Sequence, residues 1–166
     1  MKNIIIVFIL PTLAFCQTWV TIASSHLKQW EGFRSEPYRC QAGRLTIGYG
    51  FTGKDIVSKA AITEAEASQI LDEKVQEIGE AIGKLVGTVE LTDHQLAALV
   101  SLYFNIGSGA FAKSTVLEMI QNGRLDRVPQ SIAMWNKVRS PKTNKLKVSR
   151  GLISRRVSEI RLWLTN

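Results

Sequence analysis

The chain has 166 residues, of which 45% are hydrophobic and 21% are charged, as in a single globular domain and unlike a disordered chain. Two cysteines exclude a disulfide scaffold, and they do not combine with the two histidines in the spacing of a zinc site, so we expect neither a metal nor another cofactor. The net charge of +7 is concentrated between Lys137 and Arg161, which favours a polyanionic partner (nucleic acid, anionic lipid or acidic cell wall), although a solvated helix face explains it equally well.

The first 25 residues are apolar. The stretch 4–23 contains no Lys, Arg, Asp or Glu and is long enough to span a bilayer core of about 30 Å. Pro11, Gln17 and three threonines make its insertion only marginally favourable. Three interpretations remain open: a signal peptide cleaved before Gln17, a permanent anchor, and a segment that inserts and is later released. Each of them exports a domain covering residues 26–166.

The predicted elements follow in chain order. Glycines around Leu45-Thr46-Ile47 predict short strands and tight turns between Tyr38 and Gly53. Helical signals then dominate: capping boxes at Thr63 and Thr92, a shorter helix from Ser114 to Ile120, a helix from Leu125 to Val138, and a last helix with an apolar stripe at Ile153, Val157, Ile160 and Leu164. The order predicts an α+β fold in which a small N-terminal β-region packs beside a mainly helical C-terminal lobe.

One glycine motif has two interpretations. The segment Gly48-Tyr-Gly50-Phe-Thr-Gly53 satisfies G-x-G-x-x-G, and Asp72 follows at roughly the distance found in dinucleotide-binding proteins. Such a site needs a parallel βαβ unit, whereas Asp72 lies inside a helical repeat. We therefore favour a role for these glycines in turns.

Glu31 is the first candidate catalytic residue. It follows Trp30 and precedes Gly32-Phe33, so an acid is flanked by apolar groups at a predicted helix end. Apolar surroundings disfavour an ionised carboxylate, which suits a carboxyl group that donates a proton near neutral pH. A lone glutamate is more often a capping or ion-paired residue, so the sequence around Glu31 must decide between a catalytic and a structural role.

The segment from Glu31 to Gly50 reads Glu31-Gly-Phe-Arg-Ser-Glu-Pro-Tyr-Arg-Cys40-Gln-Ala-Gly-Arg-Leu-Thr46-Ile-Gly-Tyr-Gly50. It closely resembles the active-site signature of the phage-type lysozymes, glycoside hydrolase family 24: Glu, eight residues, Asp or Cys, five residues, Thr, then Ile-Gly-x-Gly, here without gaps. The resemblance continues at residues 97–107, at Trp135-Asn136 and at residues 151–163. Within the family, the chain resembles the signal-arrest-release endolysins with a catalytic cysteine.

This resemblance implies a lysozyme-like fold and an endolysin that lyses host bacteria by hydrolysing the β-1,4 bonds between N-acetylmuramic acid and N-acetylglucosamine. Glu31 would protonate the departing oxygen, and Thr46 would hold the attacking water. Cys40 stands where many members have a second carboxylate, and its thiolate would activate water or attack the sugar directly. Expected substrate-binding residues are Tyr38, Gly48, Gly50, Asn105 and Arg150.

Cys40 raises two further questions. An ordinary thiol has a pKa of about 8.5, so little thiolate forms at neutral pH, and the substitution leaves open whether the reaction inverts or retains; a buried inert thiol is the alternative. Cys16 is the other cysteine of the chain, and its pairing with Cys40 after release would block catalysis. The simpler hypothesis is that tethering through residues 4–23 misplaces Glu31 until the segment leaves the inner membrane.

Rival functions predict different behaviour. A nucleic-acid-binding module or a membrane disruptor acting through residues 149–166 would not depend on Glu31. A lytic transglycosylase would leave 1,6-anhydro ends, whereas a hydrolase leaves reducing ends. We favour a monomeric hydrolase of peptidoglycan with no nucleic-acid partner, exported and either tethered and then periplasmic or secreted after cleavage.

Overall fold

A computed structural model describes residues 18–40, 43–53, 58–140 and 143–165. The apolar residues 1–17, with Cys16 and the candidate cleavage site, lie outside the described residues. Within those ranges, no helix is both long and apolar enough to cross a membrane.

The described part of the chain is mainly helical. Its helices are α1 (Thr18–Glu31), α2 (Glu64–Val86), α3 (Asp93–Ile106), α4 (Ser108–Phe111), α5 (Thr115–Gln121), α6 (Val128–Ala133, preceded by a 3₁₀ turn at Leu125–Arg127) and α7 (Arg150–Trp163). Its strands form two antiparallel pairs, β1 (Arg34–Arg39) with β2 (Leu45–Gly48) and β3 (Lys137–Arg139) with β4 (Leu146–Val148). This arrangement confirms the α+β prediction.

The helix starts follow the local sequence signals. Thr63 and Thr92 each accept a backbone N–H of the first helical turn, and the side chains of Glu66 and Gln95 bond back to the cap residues. Ser114 caps α5 through the N–H of Leu117. These caps confirm the three helix starts predicted from the sequence.

Helix α3 is the centre of the hydrophobic core. Its segment 97–102 is completely buried, and α1, α2 and α7 all pack against α3. Ala23 and Leu27 of α1 are also completely buried. Helices α1 and α7 are therefore held next to the same central helix.

The first described turns of α1 belong to the packed lobe. Residues 18–25 form the first turns of α1, where Ala23 is buried and Trp19 and Val20 pack against the core. Ser24 donates a hydrogen bond to Asp72 of α2 at 2.5 Å. Asp72 thus lies in a helix within this lobe, and the described strands contain no parallel pair that a dinucleotide site would need.

The predicted helix from Leu125 to Val138 is wrong in its second half. Helix α6 ends at Ala133, and Lys137–Arg139 form a strand that pairs with Leu146–Val148. Each strand has only three residues, too few for a period-two pattern to be recognised in the sequence. We refer to β3 and β4, together with residues 140 and 143–145, as the basic hairpin.

Candidate active site

Glu31 is placed by the end of α1. Gly32 has a φ of +66° and its N–H bonds to the carbonyl of Lys28, which ends the helix at Glu31. The Glu31 side chain is 21% exposed, and its Oε1 accepts a hydrogen bond from Arg155 Nη1 at 2.7 Å. The direct partner of this carboxyl is therefore a cation on α7, which the apolar neighbours in the sequence did not indicate.

Arg155 is itself held from two other directions. Its Nε lies 3.3 Å from Oε1 of Glu159, and its Nη2 donates to the carbonyl of Ser101 on α3. The Ser101 hydroxyl also donates to Glu159 Oε1, at 2.8 Å. The guanidinium that contacts Glu31 is thus fixed by contacts to α3 and within α7.

A second arginine completes the buried network. Arg156 Nη2 donates to Glu159 Oε1 at 2.9 Å and to Asn105 Oδ1 at 3.0 Å. Its Nε lies 2.8 Å from Glu159 Oε2 as an ion pair without hydrogen-bond geometry. Burial raises the pKa of Glu159, an effect that Arg156, Ser101 and Arg155 oppose.

His26 lies next to this network on α1. The side chain is almost fully buried, and its pKa falls from 6.5 to about 4 because of burial and the nearby charges of Arg155 and Arg156. Its Nε2 has no hydrogen-bond partner among the described residues. The imidazole is therefore neutral at physiological pH, and it adds no positive charge beside Arg155 and Arg156.

The β1–β2 pair brings Cys40 and Thr46 together. The carbonyl of Arg44 accepts both the backbone N–H of Cys40, at 2.9 Å, and the hydroxyl of Thr46, at 3.1 Å. Thr46 lies opposite Tyr38 in the strand register. Cys40 is half-buried and Thr46 is only 3% exposed.

The turn after β2 presents Gly50 to the catalytic candidate. Ile47 and Phe51 exchange two backbone hydrogen bonds across the turn. A Cβ at Gly48 would meet the Phe51 ring at 2.8 Å, whereas a Cβ at Gly50 would lie 3.6 Å from Glu31 Oε2. Packing therefore requires Gly48, and the missing side chain at Gly50 leaves space beside the Glu31 carboxylate.

Glu31 lines one concave surface and lies beside Gly50, a lining residue of another. An open cleft of about 560 Å³ has Gly50 and Phe51 of the β-region among its lining residues, together with Tyr103 and Phe104 of α3. A second concave surface is lined by residues 31–38, from Glu31 to Tyr38. Since Gly50 lies against Oε2, the carboxylate is at the border of both, where an extended chain could pass it.

Two of the expected substrate-binding residues, Asn105 and Arg150, lie on the surface. Asn105 is exposed near the cleft, and its side-chain amide oxygen accepts a hydrogen bond from Arg156. Arg150 is the exposed first residue of α7, and the arginine that contacts Glu31 is Arg155, five positions later. Roles of Asn105 and Arg150 in substrate binding stay predictions.

The buried network of Ser101, Arg155 and Glu159 was not predicted from the sequence. One signal for it existed: Glu159 is the single acid in the basic stretch and lies three and four residues after a pair of arginines, the spacing of helical ion pairs. No group of three or more potential metal ligands occurs in the described ranges.

Comparison with known proteins identifies the family of this chain. The family model "Phage lysozyme" matches residues 28–159. An endolysin of Bacillus phage B103 is 35% identical over 141 residues, covering 84% of this chain but only 51% of that protein, so the chain spans about half its length. A SAR-endolysin of Escherichia phage Mu is 35% identical over 127 residues, or 76% of this chain and 70% of that protein.

Among solved structures, the muramidase domain of SpmX from Asticaccaulis excentricus superposes with a TM-score of 0.77 at 35% identity, covering 87% of this chain and 95% of that chain. The family match extends from the residues before Glu31 to Glu159, and thus includes the whole buried network and both sides of the cleft. The chain belongs to the phage lysozyme family.

Proposed function

We propose that this protein is an endolysin that hydrolyses the β-1,4 bonds between N-acetylmuramic acid and N-acetylglucosamine in bacterial peptidoglycan and thereby lyses the host cell. The observation that carries the proposal is the position of Glu31: its carboxyl borders an open cleft and is held by a buried guanidinium group. The names of its relatives, endolysin and muramidase, support the same reaction.

The two oxygens of Glu31 have different surroundings, which assigns them different tasks. Oε1 is bound by Arg155, so it stays fixed against α7. Oε2 lies beside Gly50, where no side chain fills the space. In the proposed reaction Oε2 carries the proton and delivers it to the glycosidic oxygen, a general-acid step that contributes typically 10²–10⁴-fold.

Cys40 and Thr46 supply the second half of the reaction. Because the Thr46 hydroxyl donates to Arg44 O, its oxygen lone pairs remain available to accept a hydrogen bond from a water. The backbone N–H of Cys40 donates a hydrogen bond to the same carbonyl, so Cys40 lies at the same end of the β1–β2 pair as Thr46. We assign water holding to Thr46 and water activation to Cys40.

Product analysis on purified peptidoglycan tests the assignment. Glu31→Gln removes the transferable proton but keeps the size of the side chain, and we expect reducing-end release to fall by about 10²–10⁴-fold. Glu90→Gln, at an exposed glutamate outside both concave surfaces, is the matched control and should keep full activity. Unchanged release by Glu31→Gln would refute the acid role.

The same experiment separates the rival functions. A transglycosylase loses activity with Glu31→Gln but yields 1,6-anhydro ends in the unaltered chain. A protein that kills through membrane disruption or binds nucleic acid keeps those properties in the Glu31 variant. Cys40→Ser and Thr46→Ala then report on the second half of the reaction, and loss of reducing ends in either supports its role with water.

We further propose that the N-terminal segment exports the chain and tethers it to the inner membrane before release. The relatives named SAR-endolysin support this localisation. In the folded lobe, residues 18–23 belong to α1, which also carries Glu31. A segment 4–23 in the bilayer is therefore incompatible with a complete α1 against the core, and the active site can form only after the segment leaves the membrane.

Strengthening the segment tests this idea without disturbing the core. Thr18 and Thr21 are exposed in the folded lobe, so leucine at both positions favours membrane insertion and costs the fold little. We expect Thr18→Leu/Thr21→Leu to delay lysis of cells while the purified variant still cleaves peptidoglycan. Lysis at the original time would contradict the tethering proposal and leave the enzymatic one intact.

A further inference from the structure

The basic hairpin is an unusual surface, because both of its faces are open to solvent. All six residues of β3 and β4 are exposed. The hairpin is closed by backbone hydrogen bonds, from Ser149 N to Asn136 O at its base and from Ser140 N to Lys145 O near its tip, each 2.9 Å. An isolated two-stranded ribbon of this kind is at best marginally stable by itself, so its exposed side chains would gain from a partner.

Apolar and cationic side chains alternate across this ribbon. Directly opposed residues of an antiparallel pair point to the same face, and Lys137 opposes Val148 while Arg139 opposes Leu146. Val138 and Lys147 form the remaining pair, on the opposite face. Every opposed pair therefore combines one large apolar side chain with one cation.

The exposure of the apolar members is substantial. Val138, Leu146 and Val148 are 46%, 61% and 56% exposed, and Met134, three residues before β3, is 64% exposed. Single exposed hydrophobic residues are ordinary, but here three of six strand positions are apolar and exposed. The sequence contains no acid from Arg127 to Ser158, so no carboxylate of this stretch neutralises the cations.

We propose that the basic hairpin docks on the surface of a bilayer that contains anionic phospholipid. Phosphate headgroups would accept the lysine and arginine side chains, and the apolar members of the pairs would enter the boundary between headgroups and acyl chains. An acidic wall polymer would bind the cations equally well but would leave the valine and leucine side chains in water. The pairing of both side-chain types therefore favours the lipid surface.

Co-sedimentation of the full chain with vesicles tests this surface. Vesicles of phosphatidylethanolamine with phosphatidylglycerol are compared with vesicles of phosphatidylcholine, and the N-terminal segment is present in every variant, so differences report on the hairpin. Lys145→Gln/Lys147→Gln should weaken binding to the anionic vesicles by about fivefold for each lysine, the effect of about 1 kcal/mol per cation. Lys84→Gln/Lys113→Gln removes the same charge from exposed positions outside the hairpin and should bind like the unaltered chain.

A second variant separates lipid from polymer binding. Leu146→Thr/Val148→Thr places β-branched side chains at both strand positions and removes apolar surface. Binding to the anionic vesicles should fall several-fold while cleavage of purified peptidoglycan is unchanged. If Lys145→Gln/Lys147→Gln and Lys84→Gln/Lys113→Gln lose the same amount of vesicle binding, the effect is one of net charge in general. Equal binding of the unaltered chain to both vesicle types would show that the hairpin is not used. Hairpin-dependent binding to purified peptidoglycan but not to vesicles would identify a wall-binding surface. Each of these three results overturns the proposal.

Discussion

Replacement of Glu159 by glutamine tests the buried network directly. Glu159 is completely buried and its Oε1 accepts hydrogen bonds from Ser101, Arg155 and Arg156. Glutamine has nearly the same size, but it removes the negative charge and places an amide N–H₂ where a carboxylate oxygen faces Arg156. Arg155 then keeps Glu31 as its carboxylate partner, whereas Arg156 loses the carboxylate with which it forms an ion pair.

The expected cost follows from that loss of charge. Removing one partner of a buried ion pair typically costs roughly 3–5 kcal/mol, because the other charge stays buried without compensation. For a domain of this size that loss corresponds to a fall in Tm of about 10–15 °C. Since folded domains have about 5–15 kcal/mol of stability, we expect Glu159→Gln to fold at low temperature with a much smaller margin.

Urea unfolding followed by circular dichroism measures this loss. The matched control is Glu118→Gln, at an exposed glutamate of α5, which should change the free energy of unfolding by no more than about 0.5 kcal/mol. In a double-mutant cycle, Arg156→Met should cost less when combined with Glu159→Gln than in the unaltered chain. If Glu159→Gln behaves like Glu118→Gln, the network does not hold Arg155 and our account of how Glu31 is positioned fails.

Two further predictions concern α1 and its contacts. The pKa of His26 is about 4 in the folded chain against 6.5 when exposed; the unfolded chain therefore binds more protons between these values, so the free energy of unfolding should fall by about 3 kcal/mol as the pH drops from 6.5 to 4. When urea unfolding is measured at a series of pH values, His26→Leu should reduce this fall in the free energy of unfolding. An unchanged pH dependence would contradict the assignment of the effect to His26. A Cβ at Gly79 would overlap the Trp19 indole, whereas a Cβ at Gly83 on the same helix would meet open space. In thermal melts, Gly79→Ala should therefore destabilise the fold by about 1–3 kcal/mol, and Gly83→Ala should stabilise it by about 0.5–1 kcal/mol. Equal effects of the two substitutions would refute the packing argument.

The parts of the fold that were predictable from the sequence depend on neighbours in the chain. Thr63 and Thr92 begin helices because the acceptor, the N–H donors and the returning side chain all lie within four residues. The active-site segment is equally local, since Cys40 and Thr46 are joined through Arg44 between them. Patterns whose partners lie within a few residues of each other can be recognised in a single sequence.

The missed parts depend on contacts between distant segments. Glu31 and Arg155 are 124 positions apart, and Ser101 and Glu159 are 58 positions apart, so neither pairing has a local pattern. The basic hairpin was missed for the same reason, because each of its strands is defined only by its partner. Arg150 was expected at the site from the family resemblance, but the helical register of α7 decides that Arg155 is the arginine that reaches Glu31.

Helix α1 connects catalysis with the N-terminal segment. Its first turn lies in the stretch proposed to enter the membrane, and its last residue is Glu31, about 20 Å away along a helix of 14 residues. Arg155 can bind Glu31 only when α1 lies against α3, because Ser101 of α3 fixes the same guanidinium group. If residues 18–23 are held in a bilayer, α1 cannot dock, Glu31 loses its cationic partner and the cleft loses its acid. A single helix would thus make the position of the catalytic carboxyl depend on whether the N-terminal segment has left the membrane.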